Sequence, residues 1–245
     1  MPILTPSKRQ DRHPNLRQTG VAMLARVLEP EVMDSAEEAR DYDAMDHREV
    51  NRVFVTDFLA FWNGQGLILD LGTGTGQIPI ELCRRDPKIQ VVALDMAEHM
   101  LYLARDNVSR AGLGERIQLE RGDAKALPYA ADTFGAIISN SIVHHIPEPR
   151  KVLAEMVRVV RPGGCLFVRD LLRPSDEATV QRLVGLYGAE VNAHQRQMFA
   201  DSLRAALTLP EIRDLAARLH FDPAGVRQTS DRHWTWQAHK RKDEG

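Results

Sequence analysis

The sequence predicts an α/β fold: a doubly wound, mainly parallel sheet with helices on both faces. Three observations lead to this prediction. Short apolar runs alternate with helical patterns over residues 66–170, as in consecutive strand–helix–strand units. The runs at 67–69 and 90–94 are apolar throughout, as expected for strands buried on both faces. The last two strand-like runs, 225–229 and 233–239, are joined by a turn too short for a parallel crossover, so the last strand should be antiparallel.

The other elements follow in chain order. Residues 1–19 are polar and proline-containing, which predicts a surface arm. An N-terminal helical cap is predicted over 20–65, because a helical pattern, with apolar residues recurring at intervals of three and four, covers 21–62. A main domain over 66–245 follows, with a helical insert at about 175–209. Strands are predicted at 67–69, 90–94, 116–120, 134–138, 165–168, 225–229 and 233–239, and helices up to 85 and at 97–111, 149–160, 175–188, 192–207 and 210–219.

Composition and charge narrow the functional classes. The 245 residues are 43% hydrophobic and 27% charged, which is ordinary for a globular protein. A formal net charge of −2 does not favour a nucleic-acid partner. No apolar run approaches the roughly 18–20 residues that a membrane-spanning helix needs. The two cysteines, Cys83 and Cys165, lie in apolar segments and predict reduced core residues in a cytoplasmic protein. Nothing in these features opposes a homodimer.

The most informative motif is a glycine loop, residues 70–76, between the first predicted strand and a helix. Glycines at such a turn allow positive φ and let backbone NH groups approach a ligand closely. Asp95 ends the next strand, where a carboxylate can accept hydrogen bonds from ribose hydroxyls. The loop and Asp95 together predict a ligand that contains a nucleoside.

The acid before the loop indicates which nucleoside ligand is bound. The spacing is GxGxG preceded by Asp70, whereas the dinucleotide fingerprint is GxGxxG. A carboxylate at this position would repel a pyrophosphate and would suit a cationic amino group. S-adenosylmethionine (SAM) has an amino-acid end and a sulfonium and has no phosphate. This contrast favours SAM over NAD.

At these residues the chain resembles the class I SAM-dependent methyltransferase superfamily. Four blocks carry the resemblance: ILDLGTGTG at 68–76, VALDM at 92–96, GDAKALPY at 122–129 with DTF at 132–134, and LAEMVRVVRPGG at 153–164. Residues 41–46 make the chain most similar to the ubiquinone/menaquinone-biosynthesis-like small-molecule methyltransferases. The resemblance implies a Rossmann-like, seven-stranded sheet and an enzyme that methylates an O, N or C atom of a small molecule. S-adenosylhomocysteine (SAH) would be the product.

The resemblance also implies a cofactor site at the carboxyl ends of the strands. Its residues are Asp70, Gly72, Thr73, Gly74, Gly76, Asp95, Met96, Asp123, Ala124 and Asn140. Asp70 and the loop backbone would hold the methionine moiety, with Asn140 beside it. Asp95 would accept from both ribose hydroxyls, and Met96 would pack on the adenine. Asp123 would accept from the adenine amino group, next to the backbone NH of the following residue.

Three residues are candidates for catalysis. His144 and His145 follow the fourth strand, and a histidine can act as a base near neutral pH, although such a pair can also simply shape the loop. Asp170, at the end of the fifth strand, could contact the acceptor or orient a donor, or could pair with Arg169 or Arg173. No third ligand stands near the histidines in the sequence, so no metal site is predicted.

The lid over the acceptor should come from outside the predicted sheet. Tyr42 and His47 are candidates from the cap, and Tyr187 and Arg196 from the insert. Polar groups on these helices could line a pocket for a polar or anionic acceptor, or could form a solvated face.

Three other functions fit parts of the same pattern. A SAM-binding scaffold without turnover would keep the loop and Asp95. A transferase for a SAM derivative would keep the fold, and a carboxylated derivative would need an additional cation, for which Arg196 is available. An NAD-dependent dehydrogenase is the least favoured, because both the loop spacing and Asp70 are wrong for it.

Overall fold

The structure is a computed structural model that describes residues 23–29, 35–44, 47–188 and 192–242. Within these ranges the chain forms eight α-helices and seven strands. The helices are α1 (Ala36–Ala44), α2 (Arg48–Phe61), α3 (Gln77–Arg85), α4 (Glu98–Arg110), α5 (Pro149–Val159), α6 (Glu177–Tyr187), α7 (Ala193–Ala205) and α8 (Leu209–Arg218). The strands are β1 (Ile68–Leu71), β2 (Val91–Asp95), β3 (Ile117–Arg121), β4 (Phe134–Asn140), β5 (Val160–Leu171), β6 (Val226–Gln228) and β7 (His233–His239).

The strands form one sheet in the order β3-β2-β1-β4-β5-β7-β6. The pairs among β1 to β5 are all parallel, and β7 is antiparallel to both β5 and β6. The strands are added in one direction from β1 to β3 and in the other direction from β4 onward. This change of direction between β1 and β4 creates a crevice at their carboxyl ends, where ligands bind in doubly wound sheets. The α/β prediction with an antiparallel last strand is confirmed.

The apolar runs form these strands because both faces of the sheet are covered. All four residues of β1 are buried. Alternate side chains along β1 belong to different apolar clusters: Ile68 packs with α2 and α3, and Leu69 packs with α5 and α8. The helices of the predicted insert, α6 and α7, occur close to their expected positions.

Strand β5 begins earlier than the sequence predicts. It starts at Val160 and includes Pro162, Gly163 and Gly164, which were expected only to stop the preceding helix. The pairing of β4 with β5 changes register here. A Cβ on Gly164 would lie 2.8 Å from the carbonyl oxygen of Gly135, so the glycine permits the close approach of the two strands.

The helical prediction is wrong for residues 23–29, which form neither helix nor strand. The backbone NH groups of Leu24 and Val27 donate to the carbonyl oxygens of Ser175 and Arg204, at 3.1 and 3.2 Å. Tertiary hydrogen bonds to the insert thus replace those of a local helix. The predicted arm at 1–19 lies outside the described residues.

Other sequence expectations concern the cysteines and the membrane. Cys83 and Cys165 are buried and unpaired, as predicted. Burial raises the pKa of both thiols, that of Cys165 to about 12, so they are inert at neutral pH. In the described part of the chain no helix is both long enough and apolar enough to cross a membrane.

Helix α2 contributes to the core through Phe54, which is fully buried and meets the Phe167 ring edge-on at 5.1 Å between centroids. We expect Phe54→Ala to lower the free energy of unfolding by about 3–5 kcal/mol, because it leaves a cavity beneath the sheet. Val53→Ala on the exposed side of the same helix should change it by less than about 0.5 kcal/mol. Urea denaturation measures both, and equal effects would contradict the packing of α2.

Candidate cofactor and acceptor site

A cavity of about 390 Å³ lies at the carboxyl edge of the sheet, a volume typical of small-ligand sites. Loops after β1 to β4 form one end, and α2, α6, α7 and the β6–β7 turn form the other. The predicted residues that line it are Tyr42, His47, Gly72, Gly74, Asp95, Met96, Asp123, Ala124, Asn140, His144, His145 and Tyr187. The predicted residues that do not line it are Asp70, Thr73, Gly76, Asp170 and Arg196.

The glycine loop has the predicted backbone conformation. Gly72, Gly74 and Gly76 have φ angles of 73°, 55° and 78°. A Cβ on Gly72 would lie 1.8 Å from Cγ2 of Ile142, so this glycine lets the loop after β4 cross the glycine loop directly. A Cβ on Gly74 would meet only the Tyr42 ring, at 3.5 Å. Both glycines line the cavity, but Ile142 covers one side of Gly72, whereas Gly74 is open except for the Tyr42 ring.

Part of the loop backbone makes contacts within the protein. The NH groups of Gly72 and Thr73 donate to the carbonyl oxygen of Leu94, at 2.9 and 3.1 Å. A Cβ on Gly76 would lie 3.3 Å from Cβ of Ala104, so Gly76 serves the packing of α4 against the start of α3. Thr73 and Gly76 support the site from outside the cavity.

Asp70 is a buried acid beneath the loop. Its side chain is 1% exposed, and its Oδ2 has no hydrogen-bond partner among the described residues. Burial raises its pKa to about 7; the side chain of Thr73 opposes this shift, and the nearby Asp95 carboxylate adds to it. A buried acceptor without a partner is costly unless a ligand supplies a donor. Asp70 therefore fits a ligand that brings a cationic NH group, such as the ammonium of SAM.

Asp95 holds the loop and the next helix together. Its Oδ2 accepts from the NH of Gly74 at 2.7 Å, and its Oδ1 accepts from the NH of Ala97 at 2.9 Å. Each carboxylate oxygen can accept more than one hydrogen bond, so Asp95 can still accept from a diol in the cavity. Tyr42 lies close to this acid: burial, Asp95 and Asp70 raise its pKa to about 12. The tyrosine is thus neutral.

The predicted adenine end is formed by Met96, Asp123 and Ala124. Met96 is 43% exposed and lines the cavity, so its side chain is available to a flat ring. Asp123 Oδ1 accepts from the NH of Lys125 at 2.8 Å and pairs with its ammonium at 3.0 Å. Burial tends to raise the pKa of Asp123, but these contacts with Lys125 hold it below its ordinary value. Asp123 is therefore ionised and fixed in place at neutral pH.

Asn140 ends β4 between the two ends of the cavity. Its Oδ1 is buried and has no hydrogen-bond partner among the described residues. The next residue, Ser141, has a φ of 62°, which turns the chain sharply into the loop above the glycines. Asn140 therefore has an oxygen that can accept a hydrogen bond at the wall of the cavity.

Asp170 orients His144 and does not reach the cavity. Its Oδ1 lies 2.6 Å from Nδ1 of His144, and its Oδ2 accepts from the NH of Val143 at 2.6 Å. The alternative ion pairs do not form, because Arg169 pairs with Asp57 and Arg173 with Glu211. Asp170 therefore positions the His144 ring, a contact that the sequence did not predict.

The surroundings of His144 favour its charged form. Burial lowers the pKa of this imidazole, but Asp170 and Glu29 raise it, and the net shift is upward. Glu29 Oε1 lies 3.5 Å from Nε2 of His144 and 3.0 Å from Nδ1 of His145. The expectation that no third ligand stands near the histidines was therefore wrong. Glu29 belongs to the segment 23–29, which the sequence predicted as helix and which forms none.

The acceptor end contains a cation that sequence reasoning missed. The Arg232 guanidinium lies 3.4 Å from the centre of the Tyr187 ring, and the Tyr187 hydroxyl donates to Asp231 at 2.9 Å. His233 also lines the cavity, and burial lowers its pKa to about 4, so its imidazole is neutral. Arg196, the predicted cation, instead donates to the carbonyl oxygen of Gly188 at 3.4 Å.

A signal for Arg232 and His233 was present in the sequence. An antiparallel β7 must start at the edge where β5 ends, which is the carboxyl edge of the sheet. The turn before β7 therefore lies beside the strand ends that bind ligands.

Comparisons with known proteins agree with this geometry. Residues 68–164 match the family profile described as a methyltransferase domain. The ubiquinone/menaquinone biosynthesis C-methyltransferase of Geobacter sulfurreducens is 32% identical over 114 residues, 46% of this chain and 44% of the relative. The corresponding enzyme of Roseobacter denitrificans is 33% identical over 144 residues, 59% and 57% of the two chains. The chain thus matches about half the length of these curated relatives.

Solved structures share the fold over more of the chain. A putative SAM-dependent methyltransferase from Methanococcus maripaludis has a TM-score of 0.65 at 16% identity, covering 89% of this chain and 99% of the other. The plantazolicin methyltransferase solved with a substrate analogue and SAH has a TM-score of 0.63 at 14% identity, covering 84% and 92%. The [4+2]-cyclase SpnF has a TM-score of 0.53 at 18% identity, covering 89% of each chain.

The raised pKa of Asp70 should make this residue destabilising. An acid whose pKa rises on folding costs stability as the unfolded chain ionises, so the cost grows from about pH 4 to about pH 7 and is constant above. We expect Asp70→Asn to raise the free energy of unfolding by on the order of 2–4 kcal/mol at about pH 8 and by almost nothing at about pH 4. Urea denaturation at both pH values measures this. Asp106→Asn, at an exposed acid, should show no such pH dependence.

Proposed function

We propose that this chain, which belongs to the class I SAM-dependent methyltransferases, binds SAM at the glycine loop and transfers its methyl group to a small molecule. The observation that carries the proposal is the unpartnered Asp70 oxygen, buried beneath a loop that is open at Gly74. A phosphate ligand would meet the Asp95 carboxylate at the cavity wall and the field of Asp70 buried beneath the loop, whereas a cationic ligand would relieve the repulsion between these acids. SAM has both the cation and the ribose diol that these acids can accept.

The reaction requires mainly alignment from the protein. Bound SAM supplies a methyl group on a sulfonium, and the chain's own residues fix its position and exclude water. Asp95 and Asp123 hold the nucleoside, while Asp70 and Asn140 hold the amino-acid end. A base is needed only where the acceptor must lose a proton. His144 and His145 line the cavity and are the residues proposed for that step.

The acceptor end favours a polar or anionic small molecule. Arg232 supplies a positive charge, and the Met198 and Phe199 side chains of α7 supply an apolar wall. Tyr42, His47 and Tyr187 would form the lid, from the cap over 20–65 and the insert at about 175–209. Arg196 has no proposed contact with the acceptor, because it lies outside the cavity lining.

The proposal also covers the cellular location and the oligomeric state of the protein. We place the protein in the cytoplasm, because both cysteines are free and buried. A homodimer is also proposed, and sedimentation of the purified chain tests it.

A scaffold without turnover and a transferase for a SAM derivative remain the competing functions, since a cyclase shares the fold.

The cofactor assignment is tested by calorimetry with SAM, SAH and NADH. We expect saturable binding of SAM and SAH, with NADH inert. Asp95→Asn should weaken SAH binding about 10- to 100-fold, because it removes a charged acceptor. Exposed Asp106→Asn is the matched control and should bind normally. Binding of NADH alone would overturn the proposal, and SAM binding without turnover in an acceptor screen would leave the scaffold function.

The pH dependence of binding tests the role of Asp70. SAH should bind about tenfold more tightly at pH 7 than at pH 5.5, because Asp70 must ionise to pair with the ligand ammonium. The amino group of the ligand stays protonated over this range. Calorimetry in buffers of different ionisation enthalpy should detect a proton released on binding. Asp70→Asn should bind weakly with no such release, and a wild-type pH profile in this variant would contradict the assignment.

A further inference from the structure

A cluster beside the cavity consists of Glu29, His144 and His145. The proposed cofactor binding gives the Glu29 carboxylate no role. One potential ligand atom from each residue lies within 4.8 Å of the other two. Two imidazoles and one carboxylate are a frequent ligand set for Zn²⁺ and non-haem Fe²⁺, with open positions left for water or substrate. The cluster therefore has the composition of a transition-metal site.

The measured separations match ligands on a shared ion. Ligands bonded at about 2.1 Å in tetrahedral geometry stand about 3.4 Å apart, and octahedral neighbours stand about 3.0 Å apart. Glu29 Oε1 is 3.5 Å from His144 Nε2 and 3.0 Å from His145 Nδ1. The longer distance exceeds a normal hydrogen bond, and the shorter one is an ion pair only when the His145 imidazole is protonated. A metal ion would bind both nitrogens and the carboxylate oxygen at once.

The surrounding groups hold these ligands as an outer shell does in metal sites. Asp170 Oδ1 lies 2.6 Å from His144 Nδ1, which leaves Nε2 of the same ring facing Glu29. Such a carboxylate fixes the tautomer and orientation of a metal-bound imidazole. On the other side, the Ser202 hydroxyl donates to the two carboxylate oxygens of Glu29, at 3.1 and 3.3 Å. The potential ligands and the groups that hold them in place are therefore both present.

We propose that Glu29, His144 and His145 bind a divalent transition-metal ion of the Zn²⁺ or Fe²⁺ class at the wall of the cavity. Both histidines line the cavity, so an ion bound to them lies beside the space for the acceptor. Its open positions would take an oxygen of a hydroxyl or carboxylate on the acceptor. This last step rests on the proposed methyl transfer, whereas the metal site does not.

Binding of Co²⁺ and Zn²⁺ to the full chain tests the site. Chelator-treated protein should take up about one ion, seen as a visible Co²⁺ absorption band that Zn²⁺ abolishes. Glu29→Gln and His145→Gln should each weaken Zn²⁺ binding at least 100-fold, because each removes a ligand. Asp170→Asn, a positioning residue, should weaken it about 10- to 100-fold. Exposed His99→Gln and Glu49→Gln are matched controls and should bind as wild type.

SAH binding is measured in the same samples, so that the metal site and the cofactor site can fail separately. Thermal melts establish that each variant is folded. If Glu29→Gln does not fold, His145→Gln carries the test, because its side chain is at the edge of the cluster and 16% exposed. Wild-type protein that binds Zn²⁺ no better than the Glu29→Gln or His145→Gln variant would overturn the proposal, even with SAH binding intact. The cluster would then be an ion-paired group of one carboxylate and two imidazoles that binds no metal.

Discussion

The buried carboxylate of Asp170 is the contact on which the arrangement of the site depends. It accepts from the backbone of Val143 and Leu171 and meets the ring of His144, all at 2.6 Å. These contacts fasten the turn after β4 to the end of β5. The fastened turn then brings Ile142 over Gly72 and presents both histidines to the cavity. Loss of this one acid would release the glycine loop and the acceptor wall together, although Asp170 itself contacts neither ligand space.

Burial of charge without full compensation is the second constraint. Burial raises the pKa of Asp70 to about 7, and this shift costs folding energy at neutral pH. The same cost becomes binding energy when a cation enters, because the ligand removes the repulsion between Asp70 and Asp95. Stability and cofactor affinity are therefore opposed at this residue, as is common for functional groups placed in apolar surroundings.

Sequence reasoning succeeded where the determinants are local. Apolar runs, glycine turns and a short final hairpin were sufficient to predict the seven strands and the positions of Gly72, Gly74 and Asp95. It failed for residues 23–29, whose pattern suits a helix but whose hydrogen bonds go to distant groups. Arg26 reaches the carbonyl oxygen of His144 across 118 residues of sequence. Contacts of that separation leave no periodic signal, so Glu29 could not be placed in advance.

Residues 23–29 have a consequence for how this cavity tolerates substitution. The segment at 68–164, which matches the methyltransferase-domain profile, forms one end of the cavity, whereas Tyr187 and Arg232 come from chain outside it. Glu29, also from outside it, contacts the two histidines of the cavity wall. Residues 23–29 are hydrogen-bonded both to α7 and to the loop after β4, so a change in one of these three segments shifts the contacts of the other two. This part of the cavity wall is therefore one mechanically linked unit, and it can be altered while the glycine loop keeps its own contacts.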